Sequence, residues 1–87
     1  MAKPSSLRNL GPKSDAMLAE IGIETVDQLR ALGAVEVYSR LKFALGDRVS
    51  LNALWAIHAG LQDQHWQRIS PEDKARLIAE TAQKTQD

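Results

Sequence analysis

A chain of 87 residues makes a single domain with room for a modest hydrophobic core. It has no cysteine, which excludes a disulfide framework and a thiolate metal site. Eleven Lys plus Arg balance eleven Asp plus Glu, so the chain lacks the basic excess on which nucleic-acid binding by charge alone relies.

Residues 1–5 are expected to form a flexible N-terminus, 6–82 a helical domain, and 83–87 a frayed tail. The piece Ser6 to Asn9 reads as about one helical turn, with Ser5 or Ser6 as its cap. After Gly11-Pro12 a helix is predicted from Lys13 to about Ile21, with Met17, Leu18 and Ile21 on one face and Gly22 as the stop. Thr25-Val26-Asp27-Gln28 has the spacing of a capping box, opening a short helix that turns Val26, Leu29 and Leu32 inward and ends at Gly33.

From Ala34 to Leu45 the residues Ala34, Val37, Tyr38, Leu41, Ala44 and Leu45 make one apolar stripe. Gly46-Asp47 signals a turn, and Ser50 stands where the next helix would be capped. That helix, Leu51 to about Gln62, carries Leu51, Leu54, Trp55, Ile57, His58 and Leu61 on a broad face. Ser70-Pro71-Glu72-Asp73 combines a cap, a proline at the first position and acids in the first turn. Ala75, Leu77, Ile78 and Ala82 give this last helix an apolar side. No run alternates in the strand manner and no heptads persist. The expectation is an all-α fold, a compact orthogonal bundle of about five short helices.

The opening Met1 to Ser6 lacks the apolar run of a signal peptide, and Ala53 to Ile57 is too short an apolar run to cross a bilayer. A cytoplasmic protein with no membrane partner is therefore expected.

The segment with the most site chemistry is the turn before the second helical piece. Gly11 allows a backbone conformation that a side chain would resist, and Pro12 pre-sets φ at the first helical position. Free N–H groups of that helix start would then point outward beside Lys13, an arrangement suited to a phosphate or a carboxylate. Arg8, Asn9, Gly11, Lys13 and Ser14 form this candidate anion or nucleic-acid site. Lys3, Arg8 and Lys13 all precede the first acid, Asp15, which adds a small basic patch. The other reading is a plain inter-helix turn in which Gly11 and Pro12 serve geometry alone, and the residues leave both open.

Other chemistry is sparse. His58 and His65 are seven residues apart, about 10 Å on a continuous helix and too far for one metal. His58 shares the stripe of Leu51, Trp55 and Leu61, which suits a packed core histidine. There is no cysteine nucleophile, glycine-rich phosphate loop or His-Glu metal motif, and Glu72-Asp73 is explained by a helix start. No enzyme, cofactor or metal site is expected. Trp55 reads as core, and Trp66 as closing the gap between the last two helices. Phe43 points away from the stripe of its helix. Either the helix ends early and Phe43 folds over Gly46 to Val49, or it is an exposed aromatic at a partner surface rimmed by Arg40, Lys42 and Arg48.

The chain resembles the C-terminal domain of the TfoX/Sxy family, bacterial proteins linked to natural competence. The matching elements are Leu10-Gly11-Pro12-Lys13-Ser14, Met17-Leu18 and Ile21-Gly22-Ile23, then Thr25 through Val35, and Tyr38 with Arg40-Leu41-Lys42. Ser50-Leu51-Asn52, Leu54-Trp55-Ala56 and Trp66 complete the set, so the likeness runs from about Ser6 to Leu77. It implies a helical domain related to helix–hairpin–helix (SAM-like) modules, and positive control of competence genes. Full-length members act with the cyclic-AMP receptor protein and carry a further N-terminal domain, so a stand-alone C-terminal copy is expected. The usual helix–hairpin–helix loop has two glycines bracketing one apolar residue; Asn9 stands in the first glycine's place, and Asn tolerates the left-handed region better than most residues.

The expected function is a non-enzymatic regulatory module in competence-related transcriptional control, acting mainly through contact with a protein of the transcription machinery or a regulator. The alternative is a helix–hairpin–helix-like domain gripping backbone phosphates without reading sequence, with weak DNA binding. Oligomeric state is left open.

Overall fold

Five α-helices follow one another in the computed structural model, which describes residues 2–85; the side chains at positions 66, 84 and 85 lie outside the described residues. They are α1 (Pro12–Ala19), α2 (Val26–Leu32), α3 (Ala34–Leu45), α4 (Leu51–Leu61) and α5 (Pro71–Thr85). Short 3₁₀ turns at Pro4–Ser6, Gly46–Arg48 and Trp66–Arg68 fill the connections. Among the described residues there is no strand, and the fold is all-α as expected.

The helix ends follow local chemistry. After α1, Gly22 adopts φ 82°, which lets the Ile23 N–H reach the Leu18 carbonyl (2.9 Å) and the Gly22 N–H reach that of Ala19 (3.0 Å). This reversal satisfies carbonyls that the helix end would leave open, and it brings Ile23 and Leu18 together in the core. The capping box at α2 is complete: Thr25 Oγ1 accepts from the Gln28 N–H at 3.2 Å, and Gln28 Oε1 accepts from the Thr25 N–H at 3.2 Å. At α5, Ser70 Oγ accepts from the Asp73 N–H at 3.1 Å.

Helix α3 is central and packs against α2, α4 and α5. Its Val37 and Leu41 meet Leu18, Leu29, Leu54, Ile57 and Leu77 in one cluster, with Val49 and Ile69 sealing the turns. The N-terminal segment joins the same body. Pro4 is buried, the Ala2 carbonyl accepts from the Val26 N–H at 2.9 Å, and the Ser5 N–H donates to the Asp15 carboxylate at 2.8 Å.

Several local expectations change. The first turn is a 3₁₀ turn at Pro4–Ser6 rather than Ser6 to Asn9, because Pro4 starts it and Asn9, at φ 74°, ends the path forward. Helix α1 runs from Pro12 to Ala19, shorter at its end than expected, since the Gly22 reversal draws Glu20 and Ile21 out of the regular ladder. Ser50 occupies the cap position of α4 but makes no side-chain cap bond. Leu51 is 41% exposed and Ile78 43%, while Ala44, Ala75 and Ala82 are exposed. Only Leu77 of the α5 side is fully enclosed, so helical spacing alone overstated that face.

Candidate functional site

The turn before α1 is built by Asn9, not by Gly11. Asn9 takes the left-handed conformation, and its amide Nδ2 donates to the Gln64 carbonyl at 2.8 Å, fastening the turn to the segment after α4. Gly11 is extended (φ −123°, ψ −172°), and a Cβ there would meet nothing within 4 Å. The expectation that Gly11 supplies a special backbone conformation is corrected: Asn9 has already turned the chain.

The glycine that this turn requires for space is Gly60, in the buried face of α4. A Cβ at that position would stand 2.8 Å from the Arg8 carbonyl oxygen. The turn thus rests directly on the α4 backbone. The only local signal for Gly60 is that a glycine inside an apolar helical run carries a penalty, which a close backbone contact explains.

The helix start offers less to an anion than its sequence suggests. Pro12 has no N–H, and the N–H groups of Ser14 and Asp15 both point to the Gly11 carbonyl, at 2.9 and 3.2 Å. Asp15 supplies its own negative charge to the first turn, where the macrodipole favours it, and that carboxylate already accepts from Ser5. A phosphate at this end would meet a carboxylate. Arg8 and Lys13 are exposed.

Ser14 and Lys13 face different spaces. Ser14 lines an apolar cavity of about 70 Å³ with Leu10, Met17, Leu18, Leu41, Ala53, Ala56 and Ile57. Lys13 instead borders an open cleft of about 350 Å³ with Met17, Glu20, Leu45 and Arg48. The structure therefore separates two members of the expected anion set and puts Lys13 on one cleft with Arg48, a residue expected at the Phe43 surface.

Phe43 is 95% exposed. Helix α3 continues to Leu45, so the side chain does not fold over Gly46 to Val49. The three cations near it in sequence have tasks of their own. Arg40 Nε lies 2.9 Å from Glu36 Oε2, Lys42 Nζ donates to the Val49 carbonyl at 2.9 Å, and Arg48 is 3.7 Å from Glu20.

Trp55 is buried and carries the Lys74 ammonium 5.6 Å from its ring centroid. The side chain of Trp66 lies outside the described residues. His65 Nδ1 accepts from the Gln67 N–H at 3.2 Å, and among the described residues no three His, Cys, Asp or Glu side chains gather as metal ligands. His58 is half-buried on α4. Burial, then the nearby Arg76 charge, push its pKa below the ordinary value of 6.5, against the opposing pull of Asp73 and Glu80. The unfolded chain therefore takes up this proton first as pH falls. The stability is held above about pH 6.5 and is lost below it. The drop in melting temperature between about pH 7.5 and pH 5.5 is expected to be larger for wild type than for His58→Gln; equal drops would remove His58 as the cause.

The family model described as the TfoX C-terminal domain matches residues 2–81. A crystal structure of an uncharacterized protein from Listeria monocytogenes, in a triclinic form, superposes with a TM-score of 0.81 at 26% identity. That similarity covers 88% of this chain and 86% of the other. No curated protein matches the chain. Among the described residues no helix is long and apolar enough to cross a membrane.

Proposed function

Since the chain belongs to the TfoX C-terminal domain family, we propose that it is a non-enzymatic regulatory module that acts by contact with another protein, in competence-related transcriptional control. The observation that carries this reading is Phe43, a large apolar side chain 95% exposed on a well-formed helix. Covering such a side chain stabilises a complex by about 1.5–3 kcal/mol before the costs of association, and aromatic residues are frequent interface anchors. The charge balance of the chain and the carboxylate at the α1 start support the same reading, because both work against phosphate binding. The partner would be a component or regulator of the transcription machinery.

A second reading, a phosphate grip of the helix–hairpin–helix kind, has one observation on its side. Asn9 takes the left-handed conformation at the place where such hairpins carry a glycine.

Fluorescence anisotropy of labelled duplex DNA, at low and moderate salt, separates the two. Protein contact predicts no binding by wild type even at low salt, with Lys13→Glu indistinguishable from it. Binding that falls steeply with salt and is lost in Lys13→Glu would overturn the proposal and make the hairpin a phosphate grip.

A further inference from the structure

The cleft between α1 and the end of α3 has a polarity of its own. Lys13 and Met17 lie about one turn apart on α1, and Glu20, the residue that caps its end, completes the same side of the cleft. Leu45, the last residue of α3, and Arg48, the last of the following 3₁₀ turn, form the opposite side. Met17 and Leu45 are half-buried and supply an apolar floor. At about 350 Å³ the cleft is in the size range of recognition pockets.

Its charges are unequal. Glu20 and Arg48 stand 3.7 Å apart with their side chains 53% and 71% exposed, an open pair that contributes little to stability. Lys13 is exposed and forms no salt bridge among the described residues. Two cations and one carboxylate thus line the cleft around an apolar floor, a net positive charge, while Asp15 at the start of α1 lines a different cleft, with Lys3 and Glu24.

We propose that this cleft docks an acidic peptide segment of a partner protein, with an apolar side chain on Met17 and Leu45 and carboxylates on Lys13 and Arg48. The inference rests on the reading that the domain works by protein contact, and it assigns the chemistry of what is contacted. A duplex backbone has phosphates for the cations but no apolar side chain for the floor. A basic segment would leave Lys13 unpaired beside a like charge. Glu20 acts as an internal competitor, holding Arg48 until an incoming carboxylate replaces it.

The test is an NMR titration of the full chain with a blocked hexapeptide, two leucines flanked on each side by acidic residues, and with its lysine-flanked counterpart. The acidic peptide is expected to shift the amides around Lys13, Met17, Leu45 and Arg48, and the basic one is not. Lys13→Glu and Arg48→Glu should each weaken binding roughly tenfold, and salt near 0.3 M should weaken it further. Glu20→Gln should tighten it about two- to threefold by releasing Arg48, a gain that a damaged fold cannot imitate. Absence of shifts in the cleft, equal response to both peptides, or no gain in Glu20→Gln overturns the proposal. Shifts confined to the surface around Phe43 would overturn the cleft and leave the protein-contact reading standing. Salt-sensitive duplex binding in the anisotropy assay would instead bring down that reading.

Discussion

Gly60→Ala is expected to lower the melting temperature by up to about 15 °C, although alanine is the better helix former. Two effects oppose each other. Alanine inside a helix gains up to about 1 kcal/mol over glycine from propensity. Against this, the new Cβ would stand 2.8 Å from the Arg8 carbonyl oxygen, and Leu7 Cβ lies 3.5 Å away on the same side. The obstructing atom belongs to backbone, so no flexible side-chain end can swing aside. Overpacking of this kind costs about 1–3 kcal/mol, and one kcal/mol moves the midpoint of so small a domain by about 4–8 °C. Relief requires lifting the turn away from α4, which also strains the Asn9–Gln64 bond. Thermal melts by circular dichroism read the stability, and amide shifts at Arg8 and Asn9 read the displacement. A melting temperature raised above that of wild type, with the Arg8 and Asn9 amides unshifted, would show that the turn does not rest on α4 in this way.

A larger loss is expected for Leu18→Ala, about 2–5 kcal/mol. Leu18 is 1% exposed and is the only fully buried side chain of α1. It already borders the cavity of about 70 Å³ beneath the turn, so truncation enlarges an existing void instead of letting neighbours close in. Since small domains have total stabilities of about 5–15 kcal/mol, a loss of this size leaves a sizeable fraction unfolded on mild heating. Urea denaturation should show the midpoint falling with little change in slope. Leu51→Ala supplies the contrast: at 41% exposure it is expected to change stability by no more than about 0.5 kcal/mol. Comparable losses at both positions would contradict the burial described.

The two variants bear on function because the turn and α1 position both Lys13 and the cleft wall. A site on α1 is only as well placed as Leu18 and Gly60 make it. Lys13→Glu, Arg48→Glu and Glu20→Gln act on exposed groups and should leave the melting temperature nearly unchanged. The two classes of variant separate loss of binding from loss of fold.

Legibility in the sequence varied from residue to residue, with a physical pattern. Gly22, the Thr25–Gln28 box and the Ser70-Pro71 start were readable because each signal and its hydrogen bonds lie within a few residues of one another. Phe43 was readable as an outlier from its stripe, but the choice between folding back and standing free depended on how far α3 ran. The assignment of the special turn conformation to Gly11 failed because its neighbour Asn9 met the same need first. Leu51 and Ile78 were placed inward by spacing, yet a helix buries only the part of its apolar face that neighbours reach.

The residues by themselves determined the all-α class, the Gly22 reversal, the starts of α2 and α5, the Val37, Tyr38 and Leu41 core of α3 and the likeness to the TfoX C-terminal domain. These follow from local capping and from a periodicity that repeats within single helices. Only the tertiary structure decided that Gly60 faces Arg8, that Asp15 is held by Ser5, that Lys42 is tied to the Val49 carbonyl, and that Lys13 and Arg48 share one cleft. Most of these pairings join separate elements, and all of them are set by how the chain is arranged in space, a property that no single helical pattern contains.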